Sequence, residues 1–374
     1  MLDGSFAWDD AQVGCQTLGE LPFPADNVPS LKTFGTFLSY QNRYQSDQLF
    51  WISKEPNRTR TFCSSVGLNG NVMSTPCNKT LPIICTQSAP VSNSTSNDMS
   101  TRYQVTQKVG AQSLTGYRDL FSWKFLGVRF AFQPERFRYS TLYDGTGNAS
   151  ALNHGRKCIQ AAGNSKPQDP GSEDCLFLNI YTPSLPSNTG PSPGNAPKAV
   201  LIWIYGGGFA TGSNGDPGTD GTNLASRGDV VVVTLNHRLG NLGFLALDDG
   251  VTNGNYGLQD IITALRWVQK YISAFGGDPK RVTIFGQSSG AAAVRAMLAS
   301  PMATGLFTGA IMSSSPGGFS FNGPYANYST ISNEARRVGK AVLAETGCNN
   351  ATSQVECLRS YDAVSLGAVA TVAK

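Results

Sequence analysis

From residue 176 onward, near-continuous apolar runs alternate with amphipathic stretches, and this alternation constrains the fold more than any other feature of the chain. The runs are 176-LFLNIYT-182, 199-AVLIWIY-205, 229-DVVVVTLN-236, 281-RVTIF-285 and 307-FTGAIMS-313. Between the third and fourth, 258-LQDIITALRWVQKYISAF-275 places Ile261, Leu265, Val268 and Ile272 at helical spacing. Strands that are apolar along their length are buried on both faces. With helices between them they predict an α/β fold, a mostly parallel sheet covered by flanking helices. Each run is far shorter than the roughly 20 residues a spanning helix needs, so no transmembrane segment is expected.

The sharpest motif follows one of these strands. Gly286-Gln287-Ser288-Ser289-Gly290 comes directly after 281-RVTIF-285, and 289-SGAAAVRAMLAS-300 reads as a helix. G-x-S-x-G carries chemistry only at a strand-turn-helix junction, and that context is present. The glycines permit a tight turn, and the helix N-terminus brings free N–H groups and partial positive charge beside the serine. Ser288 is therefore the candidate nucleophile. The plain alternative is a Gly/Ser turn without chemistry.

A second glycine turn, Gly206-Gly207-Gly208-Phe209, follows 200-VLIWIY-205. Three glycines let backbone N–H groups point into a cleft with no side chain in the way. Gly207, Gly208 and Ser289 are the candidate oxyanion donors, each such donor being worth about 3–4 kcal/mol in a transition state. The same run matches a dinucleotide fingerprint poorly, since G-G-G-F-A-T-G departs from G-x-G-x-x-G and no helix with an acidic partner follows.

Composition sets the compartment. Only 14% of residues are charged, the net charge is +4, and no Lys/Arg block stands out, so no nucleic-acid footprint is present. The 8 cysteines are even in number and lack C-x-x-C spacing, so a metal is not expected. Sequons begin at Asn57, Asn78, Asn93, Asn148, Asn327 and Asn350. Together these favour a secreted, extracellular protein. Met1-Leu-Asp-Gly-Ser-Phe-Ala-Trp is not a signal peptide, and the expectation is that the natural N-terminus lies upstream.

The chain divides by character into a cysteine-rich module at 1–88, a polar linker at 89–102 and the strand–helix region at 103–374. From about Gly116 onward the last region resembles the type-B carboxylesterase family, which includes cholinesterases and many fungal lipases. The resemblance rests on 172-SEDCLFLNIYTP-183, 203-WIYGGGF-209, 235-LNHRLGNLGFLAL-247 and 275-FGGDPKRVTIFGQSSGAA-292, in family order and at family spacing. It implies an α/β-hydrolase fold, seen here as its N-terminal portion. The implied activity is hydrolysis of small-molecule or lipid carboxylic esters through an acyl-enzyme on Ser288, with no cofactor. It also implies disulfides Cys158–Cys175 and Cys348–Cys357, and structural ion pairs Arg136–Glu173 and Arg238–Asp278.

The departures matter more than the matches. The family draws its catalytic base and acid from well beyond the nucleophile, yet no histidine follows Ser288. The chain has 2 histidines. His154 lies in the polar stretch 153-NHGRK-157, and His237 takes a strand-end position where the family usually carries tyrosine. Neither falls at the family position, so the triad is incomplete and the chain reads as truncated. Gln287 stands where cholinesterases have glutamate, and no tryptophan lies between Cys158 and Cys175 to bind a quaternary ammonium. A choline ester is therefore not the expected substrate.

Residues 1–86 resemble a C-type-lectin-like domain, a small α+β fold, through 8-WDDAQVGCQTLGE-20, 50-FWISKEPN-57 and 81-LPIIC-85. That resemblance implies pairs Cys15–Cys85 and Cys63–Cys77. Glu55-Pro56-Asn57 is similar to a sugar- and calcium-binding tripeptide, but the companion Trp-Asn-Asp is replaced by 72-VMS-74 and Asn57 heads a sequon. A lectin-like fold without calcium-dependent sugar binding is the expectation. The alternatives to an esterase are a non-catalytic hydrolase-fold adhesion protein, an inactive fragment, or a carbohydrate-recognition protein.

Overall fold

Short turns decide the first half of the large sheet. Residues 104–129 leave no room for a crossover helix, so their strands can pair only as antiparallel neighbours. The computed structural model describes residues 2–40, 44–53, 61–92, 97–160, 169–186, 197–316 and 329–369. The chain separates into two units, Met1–Gln104 with Pro186–Ala196, and Val105–Leu185 with Pro197–Lys374.

In the first unit, strands β1 (Leu2–Phe6), β2 (Leu49–Trp51), β3 (Phe62–Gly67), β4 (Val72–Pro76) and β5 (Leu81–Ile83) form a sheet in the order β1-β5-β2-β3-β4. Two helices, α1 (Trp8–Thr17) and α2 (Val28–Tyr40), accompany it. The core is small: Ala11, Cys15, Trp51, Cys63 and Ile83 are buried together. Cys15–Cys85 ties α1 to the end of the module, and Cys63–Cys77 links β3 to the turn that follows β4. Cross-links of this kind offset the limited burial available to a unit of this size. The buried Glu20 carboxylate accepts hydrogen bonds from Ser88 N, Ser88 Oγ and Thr86 Oγ1 at 2.6–2.8 Å, so its charge is satisfied.

The second unit is built on a nine-stranded sheet. In chain order its strands are β6 (Gln104–Val109), β7 (Gln112–Arg118), β8 (Trp123–Arg129), β9 (Gly147–Ser150), β10 (Phe177–Thr182), β11 (Lys198–Ile204), β12 (Val231–Leu235), β13 (Gly277–Gln287) and β14 (Gly309–Ser313). Their order is β14-β13-β11-β12-β10-β8-β7-β6, with β9 beside β7. The sheet is mixed, which corrects the expectation of a mostly parallel one. Strands β11 to β14 pair parallel, whereas β10 runs antiparallel to both β8 and β12. The parallel half is the part whose strands are separated by helices: α3 (Thr222–Gly228), α4 (Gly240–Phe244), α5 (Tyr256–Tyr271) and α6 (Ser289–Ala299).

All five residues of β12 are buried, as a central strand covered on both faces requires. The α5 stripe Ile261, Leu265 and Val268 continues through Ile272, and all four side chains are fully buried in the main core. A second core gathers Phe137, Leu242, Tyr256, Val342, Leu358 and Leu366. It joins Phe137, α4 and the start of α5 to the C-terminal helices α8 (Lys340–Glu345), α9 (Gln354–Ser360) and α10 (Ala363–Ala368), which follow the short α7 (Ile331–Glu334). Disulfides join Cys158 to Cys175 and Cys348 to Cys357.

The ion pairs of this unit divide the scaffold charges. Arg136 holds Glu173 through two bonds of 2.7 and 2.9 Å and donates to the Leu358 carbonyl at 2.9 Å. Arg238 does not meet Asp278, contrary to the pairing the resemblance implies. It grips Asp260 of α5 through Nε and Nη2, each at 2.8 Å. Parallel registry explains the correction. Strand β13 begins beside Lys198 and ends beside Ile204, so Asp278 lies at the amino edge of the sheet. Arg238 follows β12 at the carboxyl edge. Asp278 instead pairs with the nearby Arg281 at 2.9 Å.

Candidate active site

Strands β11, β12 and β13 run the same way, so their carboxyl ends form one edge from which three loops depart. Tyr205-Gly206-Gly207-Gly208 leaves β11, Asn236-His237-Arg238 leaves β12, and Ser288 leaves β13. In parallel sheets this edge is where ligands bind.

Ser288 has φ 56° and ψ −122°, a conformation that side-chain-bearing residues rarely adopt. Holding it costs about 1–3 kcal/mol, which the surrounding structure must offset. The offset is visible on both sides. The Ser288 N–H donates to the Ser313 carbonyl at 3.0 Å, and the Ser288 carbonyl accepts from Ala292 N at 3.0 Å. A Cβ at Gly286 would run into the backbone of Gly290, and one at Gly290 would run into the carbonyls of Ile204 and Tyr205. Both glycines are therefore demanded by close approach. Ser289 opens α6 and is 2% exposed, placing its N–H among the first amides of the helix, which have no partner within the helix.

The triple-glycine turn lies against this elbow. A Cβ on Gly206 would stand 3.1 Å from Ser288 Cβ and 2.7 Å from both the carbonyl oxygen and Oε1 of Gln287. Gly207 (φ 119°) and Gly208 (φ 65°) have backbone angles reserved for glycine, and the turn closes as the amides of Ala210 and Thr211 donate to Gly207 O, each at 3.0 Å. Gly207 is exposed and Gly208 half-buried, so the turn faces solvent.

Two side chains support this turn in ways the sequence does not show. Gln160 closes a pair of 3.1 Å bonds with Gly212, accepting from its N–H and donating to its carbonyl. Its position two residues beyond Cys158 was the only available signal. The other is His237, which is buried and stacked on Tyr205 with centroids 4.7 Å apart and planes 12° apart. Burial pushes its imidazole below the ordinary 6.5, so the ring is neutral at pH 7. Nδ1 lies 3.1 Å from the Arg238 carbonyl, which assigns the ring proton to Nδ1. Nε2 is buried with no hydrogen-bond partner among the described residues. Burial likewise pushes the Tyr205 phenol up, keeping it protonated, and it donates to the His237 carbonyl at 3.1 Å.

His154 is far less enclosed and stands beside Gly215. Among the described residues no group of three or more His, Cys, Asp or Glu could hold a metal, and no helix is long and apolar enough to cross a membrane. Asn78, Asn148 and Asn350 are exposed, whereas Asn57, Asn93 and Asn327, and with them Glu55-Pro56-Asn57, lie outside the described residues.

A strained serine at a strand–helix junction, with a glycine turn packed against it, is equipped for nucleophilic attack on a carbonyl. The profile of the Carboxylesterase family matches residues 110–373. The chain belongs to the carboxylesterase family. It is 39% identical to Esterase E4 of Myzus persicae over 255 residues, 67% of this chain and 44% of that protein. It is 44% identical to Cholinesterase 1 of Branchiostoma lanceolatum over 201 residues, 53% of this chain and 52% of that one. A solved thermophilic PNB esterase superposes with a TM-score of 0.61 at 34% identity, over 71% of this chain and 53% of its own. The chain thus spans about half the length of the relatives it matches. Its second unit has the α/β-hydrolase fold of the carboxylesterase family.

Proposed function

We propose that the protein hydrolyses carboxylic esters through an acyl-enzyme on Ser288. The observation that carries this reading is the Ser288 elbow, held in a costly conformation against the Gly206–Gly208 turn. Ser288 Oγ attacks the ester carbonyl carbon and loses its proton to a general base. The carbonyl oxygen becomes an oxyanion that accepts hydrogen bonds from the amides of Gly207, Gly208 and Ser289. Collapse expels the alcohol, which takes up the proton, and water then releases the acid. The base and its carboxylate partner come from outside residues 1–374 in this reading. His237, whose Nδ1 bonds the Arg238 carbonyl and whose Nε2 is buried, is not the base in this reading.

The substrate we infer is an uncharged small-molecule or lipid ester. Gln287 puts a neutral amide beside the nucleophile, which offers no charge partner to a cationic alcohol group. An extracellular site of action accords with the four disulfides, among which no free cysteine is left. We read the first unit as a C-type-lectin-like module that does not bind sugar through calcium, and the exposed Asn78, Asn148 and Asn350 as glycan sites.

A fluorophosphonate probe tests the nucleophile. Stoichiometric labelling of the full-length protein that disappears in Ser288→Ala supports the esterase. Failure to label the wild type, with ester turnover also absent, overturns it in favour of a non-catalytic hydrolase-fold protein.

A further inference from the structure

We propose that His237 is a positioning residue for the oxyanion turn, gripping both ends of Gly206-Gly207-Gly208 as a neutral aromatic plate. The proposal builds on the esterase reading, but its geometry stands apart from it. At the entry to the turn, the imidazole stacks on Tyr205, the residue directly before Gly206. The Tyr205 hydroxyl donates to the His237 carbonyl at 3.1 Å and lies 3.3 Å from the His237 N–H, so ring and backbone are held together. At the exit, the imidazole meets the edge of Phe209, the residue directly after Gly208, with centroids 6.3 Å apart and planes at 63°. Three residues on, Gly240 N donates to the Phe209 carbonyl at 2.8 Å.

The rest of the imidazole's environment excludes acid–base work. Nδ1 is committed to the Arg238 carbonyl, and Nε2 has no hydrogen-bond partner among the described residues. The charged groups around the ring are Arg238 on its own loop and Asp260 on α5, and these two are paired with each other. What remains is a plate whose stacked contact with Tyr205 and edge-to-face contact with Phe209 determine where those two residues sit. A turn with φ of 119° and 65° at successive glycines has no side chains of its own, so beside its backbone hydrogen bonds the aromatic anchors at its ends help set its shape.

The test compares wild type with His237→Leu, which keeps apolar volume without the ring, and His237→Phe, which keeps the ring. Hydrogen–deuterium exchange of the segment 205–212 and steady-state hydrolysis of p-nitrophenyl butyrate are read on the full-length protein. Leu is expected to speed exchange in that segment at least tenfold and to lower kcat at least tenfold with KM within threefold. Phe is expected to restore both to within threefold of wild type. If Leu does not fold, Met takes its place. Unchanged exchange in the ring-less variant overturns the proposal, as does a Phe variant no better than Leu. Faster exchange restored by Phe, in a protein without ester turnover even as wild type, supports the positioning role and removes the esterase reading instead.

Discussion

The Gly290 Cα faces the carbonyl oxygen of Ile204 so closely that no side chain can stand between them. That approach packs the first turn of α6 onto the end of β11, and so brings Ser288 beside the glycine turn. Gly290→Ala must push α6 away from β11. The expected result is a loss of about 2 kcal/mol or more of stability, the range for overpacking. Urea unfolding checks it, and a midpoint equal to wild type would remove the packing argument.

Ser288 separates strain from chemistry. Ser288→Ala keeps the φ of 56° and removes only the hydroxyl, so labelling should vanish while the melting temperature barely moves. Ser288→Gly relieves the strain and should be more stable than Ser288→Ala by about 1 kcal/mol. Differential scanning calorimetry of the two variants decides the matter. Equal stability would mean the elbow is unstrained.

Arg238 and the two carboxylates offer a direct contrast. The Arg238–Asp260 pair is buried, with side chains 7% and 0% exposed, so Asp260→Asn leaves an uncompensated guanidinium and should cost about 3–5 kcal/mol. Asp278 pairs with an Arg281 that is 55% exposed, and Asp278→Asn should cost about 1 kcal/mol or less. Denaturant midpoints for the two variants test the assignment, and a reversed order would sink it.

Acid should weaken the protein through His237. Burial holds its folded pKa below the ordinary 6.5, so between those values the unfolded chain binds the extra proton. Stability contributed by the neutral ring is complete above about pH 6.5 and is lost as pH falls through the folded value. His237→Phe should flatten this part of the stability–pH curve, measured by urea unfolding between pH 7 and 5. An unchanged slope would mean that the imidazole titrates normally.

Removing the Cys158–Cys175 disulfide reopens a loop of 17 residues, an expected loss of about 3 kcal/mol. Because Gln160 reaches Gly212 from inside that loop, the double Cys→Ser variant should also lose turnover beyond what its stability explains, measured well below its melting temperature.

What the sequence determined by itself is local. The elbow glycines, the triple-glycine turn and the α5 stripe each lie within one short segment, where spacing and sterics leave few conformations. The apolar strands emerged for the same reason, since a fully buried strand such as β12 must be apolar throughout, though their ends shifted: β12 spans Val231–Leu235 and β13 runs from Gly277 to Gln287. Tertiary structure alone decided which distant groups meet. The resemblance pairs Arg238 with Asp278, and only the direction of β13 shows that Asp278 lies at the far edge while α5 carries Asp260 to Arg238. The mixed sheet follows from how β10 inserts between β8 and β12, a long-range pairing with no local signature. His237 is the clearest case. Its identity as one of two histidines invites an acid–base role, and only the packing of Tyr205 and Phe209 against its ring reveals a side chain held neutral and sealed from solvent.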